Sequence, residues 1–252
     1  MSLCILTNNS ALFSSITSAS SHLIHTVELN VDGECVLIPS VDDFSRAYSE
    51  LEHSFGSILV LVASENILPG ADLARIAAQI HGGSAKISVM DSQQIGPGLA
   101  MLVHIAAQQA AHGLPLPAVE DHLRAIIPHL FTLLCPDHLP YYQIGRTTQK
   151  TGPVRDQTDA QQVYSIEEGH LVPYKKVRTQ RHLIETMQEF LEEFENPQEI
   201  ACFRGNDNSL RTRSLLETSG NLFPGIAFNE CELNPLLKTL LGAQSLGLTV
   251  LE

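Results

Sequence analysis

Ser57-Ile-Leu-Val-Leu-Val-Ala63 is an unbroken run of apolar residues after its first serine, and it indicates the class of sheet that this chain forms. A strand of this kind is buried on both faces, which is typical of a parallel sheet covered by helices. Shorter apolar runs predict further strands over residues 3–6, 26–29 and 86–90. Segments with helical periodicity separate these runs, so the first half of the chain predicts βαβ units.

Helices are predicted between and after these strands. Ser40 is a favoured N-cap residue with Asp43 three positions later, and apolar residues then recur at helical spacing to Leu51. Glycine or proline residues end the later helical patterns. Those later helices are predicted over residues 69–80, 97–112 and 117–127.

The alternation of strand and helix patterns ends after about Cys135, where a loop-rich stretch with several prolines begins. Residues 163–177 predict a hairpin that turns at Glu168-Gly169. The remaining patterns predict helices over 182–194 and 209–218, and strands over 200–203, 225–228 and 246–251. The predicted fold class is therefore α/β, with a three-layer, mainly parallel sheet domain over residues 1–133 and a smaller two-layer α+β domain with a mixed sheet over residues 134–252.

The net charge, the lengths of the apolar stretches and the first residues of the chain indicate which partners and which compartment to expect. The chain has 28 Asp and Glu against 15 Lys and Arg, a formal net charge of -13, which repels phosphate backbones and anionic lipid headgroups. We therefore expect no nucleic-acid partner. No stretch reaches the roughly 18 apolar residues of a membrane span, and no basic segment followed by an apolar one opens the chain. We expect a cytoplasmic protein without stable membrane insertion, whose five scattered cysteines are reduced and mostly buried.

Common catalytic signatures are missing from the sequence. It contains no glycine-rich dinucleotide or phosphate loop, no His-Glu-x-x-His and no Gly-x-Ser-x-Gly elbow. His81-Gly82-Gly83-Ser84 is similar to an oxyanion loop, but it lies where a helix must stop and no nucleophile elbow accompanies it. The eleven histidines are dispersed, and few have metal-ligand spacing. We expect no catalytic residue, no metal and no cofactor.

Polar loops at the ends of the predicted strands are the remaining candidate site. In an open α/β sheet, ligands bind beyond the carboxyl ends of the strands, where helix N-termini present free N–H groups. Each loop alone is equally well explained by ordinary turn and capping residues. The four segments are Thr7-Asn-Asn-Ser10, Pro39-Ser40, Ser64-Glu-Asn-Ile-Leu-Pro-Gly70 and Asp91-Ser92.

Taken in order, these segments resemble the DegV family of bacterial fatty-acid-binding proteins. The family's opening Thr-Asp-Ser-Ser is matched by Thr7-Asn-Asn-Ser10, and its strand ending near Asp-Gly is matched by Glu28-Leu-Asn-Val-Asp-Gly33. Its Ser-Gln-Pro-Ser is similar to Leu37-Ile-Pro-Ser40, and its Asp-Ser before a small-residue helix is similar to Asp91-Ser92. The family's two later motifs correspond to Ile144-Gly-Arg146 and Lys176-Val-Arg-Thr179, and the match is collinear from residue 3 to about residue 204.

The resemblance implies a lipid-binding protein that is not itself an enzyme. In the family, a long-chain fatty acid lies between two domains, with its tail in the α/β domain, and its carboxylate is presented to a separate fatty-acid kinase. The resemblance, together with the free N–H groups expected at the start of the second helix, gives a set of candidate ligand-binding residues: Asn9, Ser40, Ser64, Gly70, Ala71, Gly98, Arg146 and Arg178.

Departures from the family pattern leave undecided whether this chain binds the family's ligand. Val36 or Leu37 stands where the family has a hydroxyl, Leu68-Pro69-Gly70-Ala71 replaces its Leu-Ser-Gly-Thr loop, and its C-terminal His-Thr-Gly-Pro-Gly is not recognisable. The alternative function is therefore a diverged interaction or regulatory protein of the same fold that has lost or changed its ligand. A third hypothesis, an enzyme related to dihydroxyacetone-kinase domains, lacks a recognisable histidine that would carry that chemistry.

Overall fold

The fold is described from a computed structural model, which covers residues 2–13, 20–33, 35–137, 141–144, 147–150, 160–205 and 209–252. The elements of the first half are β1 (Leu3–Asn8), β2 (Ile24–Val27), β3 (Asn30–Asp32), β4 (Cys35–Leu37), α1 (Val41–Leu51), β5 (Ser57–Val62), α2 (Ala71–Ile80), β6 (Lys86–Asp91), α3 (Gly96–Ala111) and α4 (Leu116–Ile126). Those of the second half are β7 (Leu130–Cys135), β8 (Tyr141–Ile144), β9 (Thr147–Lys150), β10 (Gln161–Glu167), β11 (His170–Val177), α5 (Gln180–Leu191), β12 (Glu199–Arg204), α6 (Ser209–Leu222), β13 (Phe228–Glu232), α7 (Pro235–Leu241) and β14 (Leu246–Leu251).

The first sheet is parallel throughout, with strand order β2-β1-β5-β6. The apolar run that begins at Ser57 forms β5, and all six residues of that strand are buried. Helices on both faces cover this sheet, so continuous burial follows from the architecture. The predicted parallel α/β sheet is confirmed.

The second sheet has six strands in the order β11-β10-β7-β14-β12-β13. Its pairings are antiparallel except for the parallel pair β12 and β13. The predicted hairpin is present as β10 and β11, and its turn lies at Glu168 and Gly169. The mixed sheet predicted for the second half is confirmed.

Three apolar clusters order these elements into layers. Helices α1 and α2 pack on one face of the first sheet, and α5 and α6 pack on the outer face of the second. Helix α3 packs between the two sheets, where it contacts β1 and β5 of the first sheet and β7, β12 and β14 of the second. We call this central cluster the α3 layer; its buried residues include Leu3, Ile5, Leu59, Leu61, Leu99, Val103, Leu134 and Phe203.

A small third sheet joins distant parts of the chain. Its strand order is β3-β4-β8-β9, and the parallel pairing of β4 with β8 joins residues 36–37 to residues 142–143. Strand β7, at residues 130–135, already belongs to the second sheet, and the predicted domain boundary at residues 133/134 falls within it. The division into residues 1–133 and 134–252 stays a prediction.

Some elements differ from the sequence prediction. Helix α7 and four strands, β4, β7, β8 and β9, were not predicted. Strand β2 spans residues 24–27 instead of 26–29, and β13 begins at Phe228 instead of residue 225. Gly225 has a φ of 99°, in the left-handed region, so it belongs to a turn and not to a strand. All five cysteines lie among the described residues, where they are buried and form no disulfide with one another. In the described part of the chain, no helix combines the length and the apolar character needed to cross a membrane.

Candidate functional site

Three loops meet at the carboxyl edge of the first sheet, after β1, β5 and β6. Backbone hydrogen bonds join them: the N–H of Ser64 donates to the carbonyl of Gln94 at 2.9 Å, and the N–H of Gly96 donates to the carbonyl of Ser10 at 3.0 Å. The loops therefore form one continuous surface where open α/β folds place their ligands. We call this surface the strand-end rim, and it comprises residues 7–12, 63–71 and 91–96.

The turn of the β10–β11 hairpin contacts this rim. The buried Ser64 hydroxyl donates a 2.6 Å hydrogen bond to the carbonyl of Gly169. Gly169 has a φ of 78°, and a Cβ atom there would lie 2.9 Å from Ser64 Oγ and 3.5 Å from Gln93 Cα. Glycine is therefore required both by the backbone conformation and by the close approach. This contact fastens the second sheet to the edge of the first.

Two non-glycine residues near this contact have left-handed backbone conformations. Gln93, on the rim, has a φ of 56°, and Glu168, in the hairpin turn, has a φ of 49°. The strain at Gln93 is offset because its N–H donates to the Asp91 carboxylate at 2.8 Å. Such conformations cost about 1–3 kcal/mol each and concentrate at functional sites. Their occurrence on both sides of one contact supports the choice of this junction as the candidate site.

Glu65 binds the N-terminus of α2. Its carboxylate accepts hydrogen bonds from the N–H groups of Gly70 at 2.8 Å and Ala71 at 2.6 Å. Gly70 is the N-cap residue of α2 and has no side chain to do this, so a residue five positions earlier supplies the acceptor. The N–H groups that the sequence offered to a ligand carboxylate are thus engaged by a carboxylate of the chain itself.

Asn9 holds the first loop in place. Its side chain accepts a hydrogen bond from the N–H of Leu29 at 2.9 Å and donates to the Leu29 carbonyl at 3.1 Å and to Glu28 at 2.5 Å. Its backbone carbonyl accepts a 2.6 Å hydrogen bond from Asn234, the N-cap residue of α7. Asn9 therefore links the rim to the end of β2 and to the C-terminal part of the chain.

Gly98 lies in the first turn of α3 against the side chain of Gln94. A Cβ atom on Gly98 would lie 2.8 Å from Gln94 Oε1. Gln94 is buried and reaches the second sheet, where its amide donates to the Leu130 carbonyl at 3.2 Å and its Oε1 accepts from the Thr132 hydroxyl at 2.9 Å. The absence of a side chain at position 98 thus leaves room for a polar link between the two sheets.

Ser40 lies apart from this junction contact, beside an open groove of about 930 Å³ between α1 and the strands β2 to β4. The hydroxyl and the N–H of Ser40 donate to the Asp43 carboxylate at 2.7 and 2.9 Å. The N–H of Asp43 donates to the Ser40 hydroxyl at 3.2 Å, which completes a capping box. These hydrogen bonds from the Ser40 side chain and backbone lower the pKa of Asp43 below its ordinary value. Four carboxylates line the groove, with one arginine: Glu28, Asp32, Asp43, Glu50 and Arg46.

The two candidate arginines are not brought to the rim by the described structure. Arg178 is exposed and follows the last residue of β11. Eight strand residues separate it from the Gly169 turn, a span of roughly 25 Å at about 3.3 Å per residue. Arg146 lies outside the described residues.

Sequence reasoning missed two contributors to this site. The role of Glu65 was not predicted, although the sequence carried a signal for it. A glycine N-cap has no side chain, so the first turn of the helix needs a hydrogen-bond acceptor from another residue. Gln94 carries no such signal, since its partners lie 36 and 38 positions away. Among the described residues, no group of three or more His, Cys, Asp or Glu side chains is placed to hold a metal ion.

Comparison with protein families gives a match over most of the chain. The model of the DegV family, described as uncharacterised proteins, matches residues 32–252. No curated protein matches the sequence significantly.

Solved structures similar to this one cover the whole chain. A DegV family protein from Thermus thermophilus, described by its fatty acid binding, shares 18% identity and a TM-score of 0.81, with 100% of both chains covered. The fatty acid kinase B3 protein of Streptococcus pneumoniae, loaded with linoleic acid, shares 17% identity and a TM-score of 0.81, with 100% of this chain and 99% of that chain covered. A fatty acid binding DegV family protein from Streptococcus agalactiae shares 15% identity and a TM-score of 0.82, with coverage of 100% and 99%. At these identities the likeness establishes the fold.

Proposed function

Because this chain belongs to the DegV family, we propose that it is a carrier that binds one long-chain fatty acid and presents the carboxyl group to a fatty-acid kinase. The observation that carries this proposal is the full-length match to relatives from Thermus thermophilus and Streptococcus pneumoniae, which are described as binding fatty acid and as loaded with linoleic acid. The protein performs no chemistry on the ligand in this proposal. The kinase supplies the phosphoryl transfer.

The α3 layer is the proposed location of the acyl chain. It is aliphatic, and it lies between the first sheet and the second, directly below the strand-end rim. Burial of an acyl chain there would gain about 0.8 kcal/mol for each CH₂ group removed from water. The proposal treats residues 1–133 as the unit that holds the chain and residues 134–252 as the unit that closes over it.

The rim is the proposed location of the head group. Asn9, Ser64 and Gly98 shape this surface through the contacts described above. Arg146 stays a candidate cation, whereas Arg178 lies at the other end of β11 from the Gly169 turn. In this structure the carboxylate of Glu65 binds the N–H groups of Gly70 and Ala71, so a ligand carboxylate reaches them only by displacing it. Ser40 lies apart from the rim contact, and it stays a candidate for the head-group site on the strength of the family resemblance alone.

A second candidate function is supported by Glu65 itself. An internal carboxylate at the N-terminus of α2, together with apolar Val36 and Leu37 where the family has a hydroxyl, favours a diverged interaction or regulatory protein with a lost or changed ligand. The two functions differ in one observable: the carrier retains a long-chain fatty acid through purification, whereas the diverged protein retains either no lipid or a different one.

Mass spectrometry of lipid extracted from protein purified without added lipid tests the proposal. The carrier predicts a long-chain acid in near-equimolar amount, absent from an unrelated protein prepared from the same cells. Enrichment of a different lipid class would favour a changed ligand. Extracts without acyl species, from protein that also takes up no acid when incubated with it, would favour the diverged function.

A further inference from the structure

The hydroxyl groups of the strand-end rim are all engaged except one. Within the described rim residues, Ser10 donates to Asn8 at 2.5 Å, Ser64 donates to the Gly169 carbonyl at 2.6 Å, and Ser92 donates to the Gln94 carbonyl at 3.1 Å. The remaining hydroxyl belongs to Thr7. Its Oγ1 has no hydrogen-bond partner among the described residues, although the residue is 0% exposed.

Thr7 lies near the carboxyl end of β1, a central strand of the first sheet. Side chains alternate along a strand, and the residues two and four positions earlier, Ile5 and Leu3, both belong to the α3 layer. The residues of the other row, Cys4 and Leu6, pack against α1 and α2. The Thr7 side chain therefore continues the row that faces the α3 layer, at the point where that layer reaches the rim.

A buried hydroxyl without a partner is costly, because it has lost its hydrogen bonds to water. Valine has nearly the same shape without this cost and is common in parallel strands. A threonine here is explained if a ligand oxygen completes its hydrogen bonding. We propose that the Thr7 hydroxyl donates a hydrogen bond to a head-group oxygen of the long-chain acid; this assignment rests on the proposed carrier function and identifies a contact within it.

The test compares the affinity of the delipidated full-length protein for oleate with that of its variants. Thr7→Val removes the hydroxyl at nearly constant volume, and Thr7→Ser retains it. Thr186→Val is the matched control, because Thr186 is also fully buried but its hydroxyl donates to the His182 carbonyl within α5 at 2.8 Å. Thr7→Ala serves in place of the valine variant if the latter does not fold.

The expected result is a loss of affinity of about 10- to 100-fold for Thr7→Val, which corresponds to one hydrogen bond to a charged group. Thr7→Ser should bind nearly as tightly as the wild type, and Thr186→Val should bind equally well. Without oleate, Thr7→Val should melt at the same temperature as the wild type or higher. The carbon-13 resonance of the oleate carboxyl group should shift in the Thr7→Val complex and not in the Thr186→Val complex.

Three results would overturn the assignment. Wild-type binding with equal affinity in Thr7→Val would remove Thr7 from the site and leave the carrier function intact. A Thr7→Val protein that melts lower without oleate would show that the hydroxyl has a partner within the protein. A wild type that binds no acid would refute the carrier function, and the assignment with it.

Discussion

Replacement of Glu65 by alanine should destabilise the protein by about 2 kcal/mol. Glu65 accepts hydrogen bonds from Gly70 and Ala71, at 2.8 and 2.6 Å, and it is half-buried. Hydrogen bonds to a charged group contribute about 1.5–3 kcal/mol, and loss of a helix cap costs about 0.5–2 kcal/mol. These estimates overlap at about 2 kcal/mol, because one carboxylate serves both purposes. Glu65→Gln keeps an oxygen acceptor and loses the charge, so about half of this loss is expected.

Thermal unfolding followed by circular dichroism measures the effect. For a chain of this length, about 2 kcal/mol corresponds to a fall in the melting temperature of roughly 4–8 °C. Glu50→Ala is the control, because Glu50 is an exposed glutamate on α1, and its loss should change stability by no more than about 0.5 kcal/mol. If Glu65→Ala and Glu50→Ala melt together, Glu65 does not cap α2 and the N–H groups of residues 70 and 71 are open to a ligand.

Two further predictions concern the junction and the acid dependence of stability. Gly169→Ala should lower the free energy of unfolding by about 1 kcal/mol or more beyond the loss in Gly113→Ala, measured by thermal unfolding. Both glycines have φ near 80°, but only a Cβ at position 169 would contact Ser64 Oγ. Equal losses of stability in the two variants would mean that the hairpin turn does not press on the rim. Hydrogen bonds from Ser40 lower the pKa of Asp43 below 3.8, so its contribution to stability is present above that pH and is lost as the pH falls through the lowered value. The melting-temperature difference between wild type and Asp43→Asn should therefore shrink on acidification, and a difference that is constant from pH 7 downward would contradict this account.

Local patterns were sufficient for most of the fold. Strand β5 was predicted because its residues after Ser57 form a continuous apolar run, and the N-terminus of α1 was predicted because Ser40 and Asp43 have the spacing of a helix cap. Strand β7 is also mostly apolar, since residues 130–135 are Leu-Phe-Thr-Leu-Leu-Cys. It was not predicted, although it begins just after Pro128, the residue that ends the preceding predicted helix. Helix α7 also carried a signal, with Asn234 as N-cap and proline in the first turn.

The candidate site was less predictable because its contacts are long-range. Ser64 and Gly169 are 105 positions apart, and Asn9 and Asn234 are 225 positions apart. No periodicity or turn propensity links such pairs, since they meet only after the two sheets have packed against α3. Ser64 was correctly predicted to lie in the loop after β5, but nothing in the sequence indicated that a hairpin carbonyl would accept a hydrogen bond from its hydroxyl.

Isothermal titration of the delipidated protein with long-chain fatty acids is the decisive test of the carrier function. We expect saturable binding of one acid per chain, with a negative heat-capacity change, because an acyl chain leaves water for the α3 layer. Absence of saturable binding for saturated and unsaturated acids across the range of chain lengths would contradict it.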